Sequence, residues 1–192
     1  MLLRHIFLIL LSTISASSLA DALDINLSND VAHFQYLATM GDMGGGKSEG
    51  HLGILYNNAK SKLVDVGLVV SNTGDSATIA SLGLGVKMIS ARIEKKNSLS
   101  LAIGGLIHIT PADDRKFGII GQLYYAPDIV TFGDAERYIE TGVRMEYELM
   151  PKAAVYIGYR KIEFDVNVLP APAPSDEVEV DEGMHIGVRI AF

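Results

Sequence analysis

Most of this chain alternates apolar and polar residues, and this alternation constrains its fold more than any other feature. In RYIETGVRMEYEL, residues 137–149, one parity is mostly apolar and the other carries Glu140, Arg144, Glu146 and Glu148. A period of two residues is that of a β-strand whose two faces meet different surroundings. The segment is therefore expected to lie between an apolar and a polar environment.

Ten segments show this alternation, and turn residues such as Asn57-Asn58 and the run SNTGD separate them. No stretch has the pattern of a long amphipathic helix. The sequence therefore predicts an all-β protein. The ten segments are LDINLS, VAHFQYLA, HLGILY, KLVDVGLVV, TIASLGLGVKMISARI, LSLAIGGLIHIT, KFGIIGQLYYA, RYIETGVRMEYEL, AAVYIGYRKIEF and GMHIGVRIAF.

The composition favours a membrane barrel over a soluble sandwich. The mean hydropathy is +0.25, whereas the outward faces of a soluble all-β protein should be polar. In a membrane barrel the apolar faces meet lipid and the polar faces line the lumen. We predict a closed antiparallel transmembrane β-barrel, and an even strand number returns both chain ends to one side. Ten strands fit, with eight as the alternative if LDINLS only caps the barrel and another segment is miscounted.

The first residues have the layout of a secretory signal peptide. Arg4 precedes an apolar run from Ile6 to Leu11, and small residues follow. We expect a cleaved signal peptide at residues 1–22 and a barrel at residues 23–192, with cleavage after Ala20 as the alternative. A signal peptide followed by a barrel predicts the bacterial outer membrane.

The charge and the residue content exclude several functions. The formal net charge is −7, which makes nucleic acid a poor partner. The chain has no cysteine, so disulfides, thiolate nucleophiles and cysteine metal sites are excluded. We assign no catalytic residue, no cofactor and no metal. His33, His51, His108 and His185 lie in no recognisable catalytic motif.

The stretch GDMGGGKS, residues 41–48, matches the nucleotide-binding pattern G-x-x-x-x-G-K-[ST]. A true phosphate loop leads directly into a helix, whose N-terminus faces the phosphates. Here Leu52, Ile54 and Tyr56 alternate instead, as in a strand. We therefore predict a hairpin and no nucleotide, although a loop from Gly41 to Gly50 is long for the periplasmic side.

The charged residues on the polar faces of the strands predict a network of paired side chains inside the lumen. Arg160 and Arg189 fall on the polar faces of their segments and are expected to pair with the carboxylates of residues 137–149. A barrel of eight to ten strands is just wide enough for side chains to fill. We therefore expect a mostly plugged lumen. The predicted network is Glu140, Arg144, Glu146, Glu148, Arg160 and Arg189.

Two other sets of residues have expected positions. Glycines on the inner parity should leave space in the lumen, and tyrosines should form girdles at the membrane interfaces. The glycines are Gly83, Gly85, Gly104, Gly118, Gly142, Gly158 and Gly187, and the tyrosines are Tyr124, Tyr125, Tyr138, Tyr147, Tyr156 and Tyr159.

Four stretches resemble the YfaZ family of predicted outer-membrane proteins. They are LYYAPDIVTFGDAERY, VYIGYRKIEF, HIGVRIAF and ALDINLSND, and the most specific part runs from Tyr125 to Tyr138. The resemblance implies an outer-membrane barrel of a Gram-negative bacterium, with no settled activity and no catalytic residues.

The partners follow from this fold. We expect outer-membrane lipid and lipopolysaccharide, and the barrel assembly machinery during biogenesis, around a monomer of structural or small-pore type. The alternatives are an outer-membrane enzyme with a rim or lumen site acting on lipid or peptide, and a secreted soluble β-protein.

Phe192 ends an alternating strand whose one face is apolar throughout. This ending resembles the C-terminal signal by which outer-membrane barrels are recognised for assembly. Deleting Phe192 should lower the amount of inserted protein in cells, with little effect on the finished barrel, because a terminal aromatic has few packing partners. Quantifying the protein in outer-membrane fractions tests this. An unchanged amount would leave the assembly signal without support.

Overall fold

The computed structural model describes residues 21–58, 61–73, 79–93, 96–111, 114–166 and 176–192. Residues 1–20, which hold most of the predicted signal segment, lie outside the described residues. The described chain forms eleven strands: β1 (Ala22–Leu27), β2 (Val31–Met43), β3 (Gly46–Asn57), β4 (Lys62–Thr73), β5 (Ile79–Ile93), β6 (Lys96–Thr110), β7 (Phe117–Ala126), β8 (Thr131–Gly133), β9 (Ala135–Met150), β10 (Ala153–Val166) and β11 (Asp176–Ala191).

Ten of these strands close into an antiparallel barrel. The order runs from β1 to β7 and then through β9, β10 and β11, and β11 pairs back with β1. The ten segments predicted from the alternation correspond to these ten strands. The prediction of a closed ten-stranded barrel is confirmed, and the alternative of eight strands is wrong.

β8 is an additional short strand that lies outside the ring of ten. It follows a 3-10 turn at Asp128–Val130 and pairs with β6, with Thr131 opposite Ser100. β7 pairs with the same strand, with Tyr125 opposite Ile103. β8 therefore continues the line of β7 along β6 after the turn.

The two ends of the barrel are named by their position relative to the C-terminus. The near end carries Asp21 and Phe192, and the Phe192 backbone N–H donates a hydrogen bond to the Asp21 carbonyl, 2.9 Å away. The far end is the opposite one, where β1 connects to β2. An even number of strands puts Asp21 and Phe192 on the same side, as predicted.

The glycine-rich stretch at residues 41–48 is a hairpin at the near end, as predicted. Met43 pairs with Gly46, so the turn has only two central residues, Gly44 and Gly45. Both have positive φ angles, 61° and 85°, which the turns favoured in two-residue hairpins require. The long loop expected here was wrong, because β2 and β3 extend through most of it.

Asp21 and Ala22 both take part in the barrel. Ala22 is the first residue of β1 and pairs with Ala191 and Leu37. The Asp21 carboxylate accepts a hydrogen bond from the Tyr36 hydroxyl. Cleavage after Ala20 would keep both residues, and cleavage after Ala22 would remove them. The domain boundary at residue 22 stays a prediction.

The outer surface of the barrel is apolar. On β4, four aliphatic residues in succession point outward between Lys62 and Asn72, and Val64 and Val66 are exposed. Nine residues separate Lys62 from Asn72, and a transmembrane strand needs about 9–11. Every barrel strand carries such a residue, for example Leu23, Phe34, Leu52, Val64, Leu82, Leu99, Leu123, Val143, Ile157 and Met184.

No helix in the described part of the chain is long and apolar enough to cross a membrane.

The outer surface of β10 changes from apolar to charged beyond Tyr159, toward the far end. Lys161 contacts the Glu163 carboxylate, and Asp165 pairs with Arg137 of β9 at 2.8 Å. The hydrogen bond to Glu163 raises the pKa of Lys161, so this lysine stays charged. Outward charges of this kind need water, so the far parts of β9 to β11 extend beyond the apolar band.

Replacing Val66 with arginine should test whether this band meets lipid. A charge at the middle of the bilayer should lower the free energy of unfolding by about 2–4 kcal/mol, and a charge near an interface by about 0–1 kcal/mol. The matched control is Asn72→Arg, at the edge of the band. Urea unfolding in lipid vesicles, followed by circular dichroism, measures both. Equal effects of the two substitutions would contradict the membrane band.

Candidate functional site in the barrel lumen

The middle of the lumen holds a network of charged side chains, which we call the central network. Its first part surrounds Glu140 of β9. The Lys87 ammonium lies 2.8 Å from the Glu140 carboxylate, and the Gln122 amide donates to the same group at 2.8 Å. The Tyr138 hydroxyl also donates to Glu140. Lys87 and Glu140 are both buried, so this ion pair is shielded from solvent.

The second part of the central network surrounds Asp24 of β1. Arg144 donates to the Asp24 carboxylate at 3.0 Å, and the Tyr156 hydroxyl donates to its other oxygen. Arg189 lies 3.5 Å from the same carboxylate, and Arg144 also reaches Glu146 at 3.6 Å. Asp24 is 1 % exposed, so three cationic or hydroxyl donors compensate a fully buried charge.

The third part surrounds Arg160 of β10. Its guanidinium binds the Asp181 carboxylate at 2.6 Å and the Asn26 amide oxygen at 3.2 Å. It also donates to His33 Nδ1 at 2.7 Å, so this nitrogen acts as the acceptor. His33 Nε2 faces Asp65 at 3.8 Å.

Two ion pairs of the central network cross the lumen. Lys87 on β5 reaches Glu140 on β9, and Arg144 on β9 reaches Asp24 on β1. In each case two strands of the wall lie between the partners. These pairs therefore link separate parts of the wall through the interior.

The structure places five of the six predicted network residues in ion pairs of the lumen. Glu148 lies half-buried near the near-end mouth, and no ion pair is found for it within the described residues. The members with ion pairs are Glu140, Arg144, Glu146, Arg160 and Arg189.

The predicted partners of Arg160 and Arg189 were wrong. Arg160 pairs with Asp181 and Arg189 with Asp24, instead of with the carboxylates of β9. The register explains this for Arg160, because Gly142 is the β9 residue opposite it. The residues of β10 opposite the three carboxylates of β9 are Ile162, Tyr156 and Ala154.

Four charged members of the network were missed in the sequence. Asp181 lies in the acidic run DEVEVDEG, whereas the other three are isolated charges on the inner faces of alternating segments, such as Asp65 in KLVDVGLVV. A single inward charge in such a segment needs a buried partner, and this signal could have found these three. The missed residues are Asp24, Asp65, Lys87 and Asp181.

The inward glycines do not leave open space. A Cβ at Gly187 would lie 2.3 Å from the ring of Tyr156, and one at Gly158 would lie 2.8 Å from the Cβ of Arg144. Gly104 is covered in the same way by a neighbouring side chain. Small residues alternating with large ones fill the interior of a small barrel, and the glycines make room for the network.

The expected tyrosine girdle is only half correct. Tyr124, Tyr138 and Tyr156 are buried in the lumen, and their parity faces inward. Two of them donate hydrogen bonds to network carboxylates, and the Tyr124 ring lies under the Lys87 ammonium, 4.4 Å from its centroid. Of the six predicted tyrosines, the other three are exposed on the outer surface: Tyr125, Tyr147 and Tyr159.

The histidines do not form a catalytic relay among the described residues. His108 Nε2 lies 3.3 Å from the Thr110 hydroxyl and 3.6 Å from Glu146. A relay needs the nucleophile and the acid on different ring nitrogens, and here both face Nε2. His185 is buried against the Tyr156 ring. Within the described residues no group of His, Asp and Glu is arranged to hold a metal ion.

An apolar cluster fills the far half of the lumen, and we call it the far-end plug. Tyr138 and Phe164 pack with ring centroids 4.9 Å apart. Val130 of the 3-10 turn packs against the cluster. The far-end plug consists of Val31, Leu55, Leu63, Ile89, Ala91, Ile93, Ala102, Tyr124, Ala126, Ala135, Tyr138, Ile162, Phe164, Val166 and Val180.

The near half of the lumen is open. A cavity of about 240 Å³, which we call the near-end cavity, extends from Lys47 near the mouth to Lys87 in the central network. The lumen therefore has three layers from the far end to the near end: the far-end plug, the central network and the near-end cavity.

A closed antiparallel barrel with an apolar outer band and a charged interior is the architecture of outer-membrane β-barrels. The chain belongs to the YfaZ family, because the family model described as "YfaZ precursor" matches residues 3–192. The resemblance seen in the sequence is confirmed.

Solved structures with a similar fold are outer-membrane proteins. A KdgM porin is 12% identical, with a TM-score of 0.45, and the match covers 90% of this chain and 99% of that chain. OmpT, an outer membrane protein of Vibrio cholerae, is 12% identical, with a TM-score of 0.39, over 89% of this chain and 64% of that chain. These likenesses concern the fold alone. A comparison with curated proteins gives no match.

Replacing Lys87 with methionine should destabilise the barrel strongly. The Glu140 carboxylate would stay buried without its ion-pair partner, which should lower the free energy of unfolding by about 3–5 kcal/mol. The double variant Lys87→Met/Glu140→Gln should recover part of this loss, because no buried charge remains. Urea unfolding followed by circular dichroism measures both.

The control for Lys87→Met is Lys62→Met on the outer surface, where the loss should be under about 1 kcal/mol. Equal losses at Lys87 and Lys62 would show that the buried pair contributes nothing particular to stability.

Proposed function

We propose that this protein is an outer-membrane barrel of structural type whose lumen does not conduct ions. The observation that carries the proposal is the dryness of the far-end plug. The side chains of Leu55, Ile89, Ala102 and Phe164 are 0 % exposed although they point into the lumen. These four side chains are inaccessible to a water-sized molecule.

A dry apolar layer is a barrier to ions. An ion would have to lose its hydration shell there, and the plug offers mainly hydrocarbon in return. Apolar constrictions close channels in this way by excluding water. The plug spans strands from both halves of the barrel, with Leu55 on β3 and Phe164 on β10.

The central network supports the closed state. Lys87 and Glu140 connect β5 to β9 across the interior, and Arg144 and Asp24 connect β9 to β1. Opening a continuous path past these pairs would separate buried charges, which costs several kcal/mol each. Plug and network therefore oppose conduction by different means.

The location follows from the apolar band and the family. We infer that the near end faces the periplasm and the far end the outside of the cell. The charged outer surface near Lys161 and Asp165 would then lie among lipopolysaccharide head groups. Insertion by the barrel assembly machinery and a monomeric state belong to the same proposal.

The second candidate function is a small pore. The near-end cavity favours it, because water already reaches the near half of the lumen. The far-end plug would then be the gate, and a movement of Tyr138 and Phe164 would open it.

A planar-bilayer recording separates the two functions. We expect no steady conductance from the unmodified protein. The double variant Tyr138→Ala/Phe164→Ala should show a small conductance, because it removes the paired rings of the plug. The matched control, Phe132→Ala, changes a phenylalanine that is 59 % exposed and should stay silent. A steady, ion-selective current in the unmodified protein would overturn the structural role and favour the small pore.

A further inference from the structure

The near half of the lumen concentrates cationic side chains, although the formal net charge of the chain is −7. Lys47, Lys87, Arg144 and Arg189 line the near-end cavity. Glu49 is the carboxylate that lines it among the described residues. The cavity wall thus differs in sign from the chain as a whole.

A second cavity of about 200 Å³ adjoins the first at the mouth, and we call it the rim cavity. The two cavities share His108 and Arg189. Together their described lining carries seven lysine and arginine side chains against three carboxylates. The further charged residues of the rim cavity are Arg115, Lys116, Lys152, Glu146 and Glu148.

The partners of the deeper cations are set back from the cavities. Asp24 and Glu140 are 1 % and 3 % exposed, and neither lines a cavity. Arg144 and Lys87, which they bind, do line the near-end cavity. The cations therefore stand between buried carboxylates and the cavity.

Two guanidinium groups keep unused donors at this wall. The Nε atoms of Arg144 and Arg189 are buried, and neither has a hydrogen-bond partner among the described residues. Arg189 contacts Asp24 at 3.5 Å through this atom, which is too long for a strong hydrogen bond. Both residues line the near-end cavity, so an acceptor that enters it meets the positive charge of two guanidinium groups.

We propose that the near-end cavity and the rim cavity form one binding site for a compact multivalent oxyanion that carries carboxylate or phosphate groups. Guanidinium groups bind such oxyanions with two parallel hydrogen bonds, and lysines add point charges. Arg189 lies where the two cavities meet and is the central ligand. Lys47 and the turn residues Arg115 and Lys116 surround the entrance.

The size of the site limits the ligand. The near-end cavity has a volume of about 240 Å³ and the rim cavity one of about 200 Å³. This suits a small organic acid or phosphate and excludes a folded polymer. Because the far-end plug blocks the other side, the ligand enters from the near end. The proposal does not depend on whether the barrel conducts.

Isothermal titration calorimetry on the folded protein in a non-ionic detergent at low salt tests this site. The probes are citrate for carboxylate chemistry and inorganic phosphate for phosphate chemistry, with glucose as the uncharged control. We expect saturable binding of at least one anion and none of glucose. The Arg189→Gln substitution should weaken binding by about tenfold, since one charge-assisted contact is lost.

A second variant keeps the test decisive if Arg189→Gln does not fold. The double variant Arg115→Gln/Lys116→Gln changes exposed turn residues outside the central network, and it should also weaken binding by about tenfold. The matched control is Lys62→Gln, a lysine on the outer surface, which should bind as the unmodified protein does. A gel-mobility shift on heating verifies that each variant is folded.

Three outcomes would overturn the proposal. The first is no saturable binding of citrate or phosphate by the unmodified protein. The second is unchanged binding in the folded cavity variants, which would place the anion elsewhere. The third is an equal loss in Lys62→Gln, which would show attraction to overall charge instead of a site.

Discussion

Closure of the sheet between β1 and β11 is the constraint on which the rest of this structure depends. In hydrocarbon no water can satisfy the free N–H and C=O groups of a sheet edge, so a membrane sheet must close on itself. Here β1 provides only six residues for closure, paired from Ala22 with Ala191 to Leu27 with Ile186. Contacts from the interior add to this short seam. Asp24 on β1 binds Tyr156 of β10 and Arg144 of β9, so the closing strand is held through the lumen as well as along its edges.

In a barrel with an apolar exterior, the contacts that specify one structure must come from the interior. Lipid meets the outer side chains whatever their detailed packing, whereas the lumen must be filled without unpaired charges. The far half solves this with apolar side chains, among them Leu55, Ile89 and Phe164. The middle solves it with buried pairs such as Lys87 and Glu140, whose carboxylate also receives donors from Gln122. The apolar layer excludes water, and the neighbouring layer compensates its buried charges with hydrogen-bond donors.

The alternation alone was sufficient to find the ten barrel strands, although not where each of them ends. A period of two residues gives parity, and parity correctly placed Glu140, Arg144 and the inner glycines inside. Parity does not give the offset between neighbouring strands. Arg160 was therefore assigned to the wrong carboxylates, because its opposite residue on β9 is Gly142. The pairing of Lys87 with Glu140 is still harder to predict from the sequence, since the partners are separated by 53 positions and by two strands of the wall.

The sequence also did not predict how far along the barrel axis each side chain lies. The tyrosines show why, because the same residue type occurs at the membrane boundary as Tyr159 and in the plug as Tyr138. What distinguishes the two positions is parity combined with distance along the strand. Hairpin ends have the same difficulty, since β2 and β3 continue to Met43 and Gly46 through a glycine-rich stretch that reads as a loop. Only the pairing partners across the hairpin fix where such strands end.

The inward residues of β9 show how one strand can build all three layers of the lumen. From the far end, Tyr138 belongs to the plug, and Glu140 and Arg144 hold the central network. Glu146 follows beside Arg144, and Glu148 lies at the rim cavity near the mouth. Along this parity the side chains pass from fully buried to partly exposed as the strand approaches the near end. A carboxylate without a described ion pair can be accommodated where water enters, whereas Glu140, four inward positions deeper on the same face, needs the ammonium of Lys87. The order of residue types along a single face thus follows the access of water, from Tyr138 in the plug to Glu148 at the mouth.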